Sequence, residues 1–225
     1  MNNQSIRYGL IGFSGRMGIE ITKLFLEFGH NCVFKINTQC EEFLSNQKVD
    51  VLIDFSSKDM LFNSIKLAKK FNSPLIIGTT GLDANQIQLL RDLSNSIPVV
   101  QSYNFSTGIQ LLLKLVEFVR GYTLDWDTEI IESHHIFKKD KPSGTALMIK
   151  EKIEKDIPIS SMRIGGILGD HKVFFGNLGE ILEISHRVLS RRAFAEGVLN
   201  SALFVMGRKN GFFSYSDVLF SGKEV

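Results

Sequence analysis

From Ile6 to Gln101 short apolar runs alternate with stretches whose apolar positions recur every three or four residues. Ile6–Ile11 predicts a strand, Met17–Phe28 a helix and Cys32–Ile36 a second strand. Val49–Phe55 is a third strand, apolar almost without a break, as in strands covered on both faces. A helix over Lys58–Phe71 stops before Pro74, Leu75–Ile77 is a strand, Asp83 caps a helix to Leu93, and Pro98–Gln101 is the last strand. This alternation with short connections predicts a parallel sheet with helices on both faces.

After Asn104 the rhythm changes. A helix over Ile109–Arg120 leads to a strand at Glu129–Ser133, a polar loop and a helix from Thr145 to about Lys155. Three strand-like runs follow with only turns between them: Arg163–Leu168, Lys172–Phe175 and Glu180–Arg187. Strands without crossover helices predict a mixed or antiparallel sheet, hence a second domain of α+β type. Ala193–Met206 is a last long helix, followed by the short segment Tyr215–Phe220. The expected division is a dinucleotide-type domain over 1–105, completed by 193–225, and a second domain over 106–192, hinged at Asn104–Gly108. Two helices cover only one face of the second sheet. The other face is expected to be apolar and to bury itself in a symmetric assembly.

Composition narrows the function classes. The chain has 225 residues, 44% hydrophobic and 22% charged, with a net charge of +2. That balance argues against a nucleic-acid or anionic-membrane partner and leaves a small acidic substrate open. Cys32 and Cys40 form neither a zinc-ligand pattern nor a disulfide framework, which fits a reducing compartment. The N-terminus lacks the basic and apolar regions of a secretory signal, and Ile109–Val119 is too short and charged to span a bilayer. A cytoplasmic protein is expected.

Directly after the first strand, Gly9, Gly12, Gly15 and Gly18 punctuate the turn that opens a helix. Backbone N–H groups at such a turn approach a pyrophosphate without a Cβ in the way; a plain strand–helix turn gives the same spacing. Gly78-Thr79-Thr80-Gly81 and Ser102-Tyr103-Asn104-Phe105 follow later strands of the same sheet. Ligands of open α/β sheets bind beyond those strand ends, so both loops are candidates for the nicotinamide half, although these residue types also suit simple turns.

The most informative stretch runs from Glu132 to Thr145. His134 and His135, adjacent at a strand end, point to opposite sides and do not chelate one metal. Lys138 brings a cation that donates a proton or holds a carboxylate. Pro142-Ser143-Gly144-Thr145 then opens a helix whose free N–H groups suit an anion. Histidine, lysine and a helix start within one loop fit a small acid that is protonated during reaction. Lys139 and Lys141 read as solvated.

Taken together, Gly12-Phe13-Ser14-Gly15-Arg16-Met17-Gly18, Ile53-Asp54-Phe55, Ile77–Gly81 and Asn104-Phe105-Ser106-x-Gly108 resemble the 4-hydroxy-tetrahydrodipicolinate reductase family. So do Glu132-x-His134-His135-x-x-Lys138-x-x-x-Pro142-Ser143-Gly144-Thr145-Ala146 and Glu183-Ile184-x-His186-x-x-x-x-Arg191-x-x-Phe194-Ala195-x-Gly197. The resemblance implies a Rossmann-type domain, a mixed-sheet substrate domain and a homotetramer of the diaminopimelate route to lysine. It implies NADPH or NADH held by Gly12, Phe13, Ser14, Gly15, Arg16, Met17, Gly78, Thr79, Thr80, Ser102, Tyr103, Asn104 and Phe105. His134 would be the general acid/base, Lys138 the proton donor, and His135, Gly144 and Thr145 the contacts to a small dicarboxylate. Hydride would pass to C4 of a cyclic unsaturated imine.

Two features depart from the family pattern: a shorter segment between the second and third strands, and Asn37 where an acidic residue often meets the ribose. Without that carboxylate, and with Arg16 in the turn, NADPH should serve at least as well as NADH; strand alternation is expected to aim Lys35 elsewhere. Two other classes suit parts of the pattern. A related semialdehyde or homoserine dehydrogenase is one, the former needing a catalytic cysteine near the anion loop; a nucleotide-sensing regulator, the other, would need a DNA-binding helix pair or basic patch.

Overall fold

In the computed structural model, residues 5–222 are described. The chain opens with strand β1 (Arg7–Ile11), helix α1 (Arg16–Glu27), β2 (Asn31–Ile36) and a short β3 (Glu41–Phe43). β4 (Val51–Asp54) leads through a 3-10 turn (Lys58–Met60) into α2 (Leu61–Phe71). β5 (Leu75–Ile77), α3 (Ala84–Ser94) and β6 (Pro98–Gln101) follow. Asp83 caps α3 in a reciprocal capping box with Gln86. The expected helix from Lys58 is thus corrected to one beginning at Leu61, with a tighter turn before it. β3 is an exposed edge strand that the hydrophobic pattern does not announce.

A separate unit starts at Ser106 and ends at Ala193. It holds α4 (Thr107–Arg120), β7 (Asp127–His134), α5 (Gly144–Ile153), β8 (Ile159–Arg163), β9 (Asp170–Gly176) and β10 (Ile181–Arg187). Its sheet order is β10-β9-β7-β8. β8 runs parallel to β7, connected through α5, and β9 is antiparallel to both β7 and β10. The mixed sheet is as expected, but the strand read at Arg163–Leu168 ends at Arg163 instead. Gly165, at φ +53, places the following residues in a turn.

α4 and α5 cover one face of this sheet with Ile109, Leu112, Val116, Ile149 and Ile153 packed on Ile130, Val173 and Phe175. The opposite face corrects the expectation of an apolar surface. Phe174 there pairs in register with Glu129 and Glu183. Ile131 pairs with Lys172, whose ammonium lies 2.8 Å from Glu183. Apolar and charged positions interleave.

The chain then returns to the first unit at Phe194. α6 (Arg192–Val205), β11 (Gly211–Phe213) and α7 (Tyr215–Phe220) complete it. The sheet order is β11-β6-β5-β4-β1-β2-β3, parallel except for β3. Pro98–Gln101 is therefore not the last strand of the sheet. α1, α6 and α7 bury Phe25, Val198, Ala202 and Tyr215 on one face against Leu10, Ile53, Ile76 and Val100. α2 and α3 bury Leu61, Leu67 and Leu90 on the other against Leu52, Leu75, Ile77 and Val99. Successive strand residues serve opposite cores, which explains the unbroken apolar runs. The order reverses between β1 and β4, the position at which open α/β sheets bind ligands. No helix of the described residues is long and apolar enough to cross a membrane.

Candidate active site

The loop after β1 is shaped by what it lacks. Gly12 sits at φ +82, and a Cβ there would come within 2.6 Å of the Phe55 carbonyl oxygen in the loop after β4. Its N–H is held by Ile36 at 2.8 Å, and the turn closes with Gly15 N–H on the Gly12 carbonyl at 3.0 Å. No side chain caps α1. α3, α4, α5 and α7 all have capping side chains, from Asp83, Ser106, Ser143 and Ser214. The bare start of α1 and the Cβ-free cradle fit a dinucleotide pyrophosphate. Ser14, Gly15 and Arg16 are exposed, and Phe13 and Met17 half-buried.

Asp54, at the end of β4 and fully buried, organises the neighbouring loops. It accepts hydrogen bonds from Ser56 N–H (2.9 Å), Ser56 Oγ (2.5 Å), Ser64 Oγ (2.6 Å) and Thr79 Oγ1 (3.3 Å). Burial raises its pKa, and the four donors offset this only in part. Gly78 lies against the Phe55 ring, Thr80 and Tyr103 are exposed, and Ser102 Oγ donates to the Asn104 carbonyl at 3.0 Å. Phe105 belongs to the core, its ring tilted against those of Phe55 and Tyr215 with centres 5.5 Å apart in each pair.

Asn37 donates its amide to Ser14 Oγ at 3.0 Å, while its oxygen accepts from Gln39 and Cys40 N–H at 2.9 and 2.8 Å. Lys35, expected to point elsewhere, lies 5.1 Å from the centre of the Phe13 ring and 3.0 Å from Glu42 on β3. The hairpin formed by the missed strand β3 brings it there.

The Glu132–Thr145 stretch is built the opposite way, from paired side chains. Glu132 and His134 are two residues apart on β7 and share its buried face. Glu132 Oε2 lies 2.5 Å from His134 Nδ1. Arg163, paired opposite His134 on β8, forks onto the same carboxylate at 2.9 and 2.8 Å. Ser143 N–H donates to Oε1 at 3.2 Å. Burial works against the charged Glu132, but hydrogen bonds from Arg163, Ser161 and His134 outweigh it and hold the pKa at about 2. Burial pushes His134 below its ordinary value against the pull of Glu132. The pair therefore rests as carboxylate and neutral imidazole, with the proton on Nδ1 facing Glu132 and Nε2 left to exchange a proton. Gly169 leaves room there, since a Cβ on it would come within 3.2 Å of Nε2.

His171 on β9 stands 5.2 Å from the His134 ring and 3.3 Å from Ser143 Oγ. Burial, reinforced by the neighbouring His134, pushes it down to about 3, so it stays neutral. His135 points away from Glu132 toward Phe137, its ring 6.3 Å from that of Phe137. Lys138 turns back over His135, its N–H on that carbonyl at 3.1 Å, and its ammonium lies 2.9 Å from Asp140. After a cis Lys141–Pro142 bond, Ser143 caps α5 through Ala146 N–H at 3.2 Å. Gly144 is exposed and Thr145 half-buried at the helix start. Glu132 thus brings His134 and the α5 N-terminus together, and Arg163 ties both to the Lys138 loop through the Asp140 carbonyl at 2.6 Å. Arg163, His171 and Asp140 were not singled out from sequence. The Glu-x-His period on a strand was the one available signal, and it points only to Glu132.

A glycine turn at the reversal point of a parallel sheet, and a carboxylate-anchored histidine with lysine and helix start in a second unit, define a Rossmann-type oxidoreductase. Comparison with known proteins makes this particular. The N-terminal domain model of dihydrodipicolinate reductase matches residues 6–105, and the C-terminal domain model matches 108–219. The 4-hydroxy-tetrahydrodipicolinate reductase of Thermosipho africanus is 44% identical over 95% of this chain and 98% of its own length. That of Zymomonas mobilis is 36% identical over 96% and 97%. The dipicolinate-bound dihydrodipicolinate reductase of Paenisporosarcina sp. TG-14 superposes with a TM-score of 0.77 at 25% identity, covering 94% of this chain and 98% of that one. An amine dehydrogenase from Mycobacterium smegmatis shares the fold, with a TM-score of 0.61 at 9% identity over 96% and 97%. The chain belongs to the dihydrodipicolinate reductase family.

Proposed function

We propose that this protein reduces 4-hydroxy-tetrahydrodipicolinate to tetrahydrodipicolinate with NAD(P)H, in the diaminopimelate route to lysine. The reaction adds one hydride and one proton and releases the hydroxyl as water. When bound, the reduced nicotinamide supplies the hydride. The cradle of Gly12, Phe13, Ser14, Gly15, Arg16 and Met17 takes the pyrophosphate end, and the loops Gly78–Thr80 and Ser102–Phe105 take the nicotinamide end. In the other unit, Gly144 and Thr145 N–H groups and His135 hold a ring dicarboxylate, as dipicolinate would be held. His134 and Lys138 manage the proton. Glu132 keeps Nδ1 of His134 occupied, so that only Nε2 exchanges.

The single observation that carries this reading is the Glu132–His134 contact at 2.5 Å, locked by Arg163 beside the Lys138–Thr145 loop. The dinucleotide domain is assigned to 1–105 with 193–225, and the substrate and oligomerisation domain to 106–192. A homotetramer is the assembly that the family resemblance implies, and a cytoplasmic enzyme is the reading consistent with its chemistry. Light scattering should give four copies. The deciding assay mixes the protein with freshly made 4-hydroxy-tetrahydrodipicolinate and follows NADPH absorbance. Substrate-dependent loss is expected; no loss with either NADPH or NADH would overturn the proposal.

A further inference from the structure

Asp140 is the only acidic side chain between Lys138 and Thr145. Its carboxylate lies 2.9 Å from the Lys138 ammonium. Burial alone would raise its pKa, but the Lys138 ammonium above all, and to the smallest extent the backbone N–H of Gly144, hold it below the ordinary carboxylate range. An internal carboxylate therefore rests on the ammonium assigned above to the proton, beside the Gly144 N–H assigned to the substrate.

The loop does not depend on that side chain for its path. Arg163 holds the Asp140 carbonyl at 2.6 Å, and Ser143 N–H is fixed on Glu132 at 3.2 Å. The side chain of Asp140 is 54% exposed, so it can swing to water by rotating about its own bonds while the backbone stays in place. Lys138, at 24% exposure, is the more buried partner.

We propose that Asp140 is a placeholder: its carboxylate fills the substrate-anion subsite of the ligand-free protein and is displaced by a carboxylate of the incoming substrate. The inference rests on the function proposed above. Until a ligand arrives, Asp140 keeps the Lys138 ammonium and the Gly144 N–H oriented toward a carboxylate. A ligand must outcompete it, which favours a dicarboxylate with a second point of attachment over a monocarboxylate. Two carboxylates on one ammonium repel each other, so Asp140 does not stay once the subsite is taken. A positioning residue that remained on Lys138 in the complex would have the opposite effect when removed.

The test is calorimetric titration of dipicolinate into the full chain saturated with NADPH. Asp140→Asn and Asp140→Ser should each bind dipicolinate about 1.5- to 5-fold more tightly than wild type, the scale of a half-exposed ion pair. In a Lys138→Met background the gain from Asp140→Asn should shrink toward none. The Asp140 carboxyl 13C signal of the wild type, identified by its absence in Asp140→Asn, should move toward that of a solvated aspartate as dipicolinate is added. Equal or weaker binding by both variants, or a carboxyl signal that does not move, would overturn the placeholder while leaving the proposed function standing. A wild type that neither binds dipicolinate nor consumes NADPH with the substrate would overturn both.

Discussion

The glycine turn after β1 and the Glu132–Thr145 stretch are both ligand sites by this account, yet they are made by opposite means. The first consists of omissions: no Cβ at Gly12, no cap on α1, exposed Ser14 and Arg16. The second consists of commitments: a fully buried carboxylate holding an imidazole, a guanidinium and a backbone N–H at once. A site of omissions is expressed in local spacing. A site of commitments concentrates charge in a low-dielectric interior, where each partner depends on the others.

The largest effect should follow from breaking that dependence. Glu132→Gln keeps the shape but leaves Arg163, only 12% exposed, without its counter-charge. Removing one member of a buried pair costs about 3–5 kcal/mol. The urea midpoint should drop accordingly and kcat should fall with it, whereas NADPH affinity should hold because the glycine turn is a separate construction. Wild-type stability would show that the network is not buried in solution.

Arg16→Ala probes the other site. The Arg16 fork suits the 2′-phosphate of NADPH, and a charge-assisted hydrogen bond is worth ~1.5–3 kcal/mol, roughly 10- to 100-fold. NADPH should weaken by about that factor and NADH much less, with melting temperature unchanged. Lys35→Met should act in the same direction more weakly, since Lys35 already spends its charge on Glu42 at 3.0 Å. Steady-state kcat/KM for both cofactors reads the outcome. A strong NADH preference in the wild type would contradict the reading of Asn37.

A further effect, spread gradually over pH, belongs to the second site alone. His171 is held neutral down to about 3 in the folded protein, against an ordinary value of 6.5. The unfolded chain takes up a proton that the folded one refuses, so stability is full above pH 6.5 and declines as the pH falls toward 3. Glu132 adds a second loss from its ordinary 4.5 down toward 2. His171→Gln should flatten the first decline, by at most about 1.4 kcal/mol per pH unit, and leave the second. Denaturation at pH 7, 5.5 and 4.5 measures it. An unchanged slope would mean that His171 is not buried neutral.

How much of this was legible in sequence follows the same division. The glycine turn, the loop at Gly78–Gly81 and the helix start at Pro142–Thr145 are local, and residue type with spacing was enough to point to them. Arg163 reaches Glu132 only through the parallel pairing of β8 with β7, and His171 only through β9. Long-range register is not written in any one segment. β8 itself was misplaced because Ile164-Gly165-Gly166-Ile167-Leu168 is more apolar than the true strand Ile159–Arg163, whose Ser160 and Ser161 dilute the pattern. β3 and β11 are three-residue edge strands with too few positions to show alternation. β3 mattered most, since its hairpin turns Lys35 toward the glycine turn.

The central claim is that proton handling by His134 is separable from cofactor binding by the glycine turn, and one variant tests it. His134→Gln removes Nε2, the ring nitrogen left to take up and return a proton, while its amide can still meet Glu132. Its kcat with 4-hydroxy-tetrahydrodipicolinate and NADPH should fall about 10²–10⁴-fold, the scale of a lost general acid–base group. The NADPH dissociation constant, measured on the same sample by fluorescence, should stay within about twofold of wild type, a free-energy change of roughly 0.4 kcal/mol. Full activity in that variant would contradict the account.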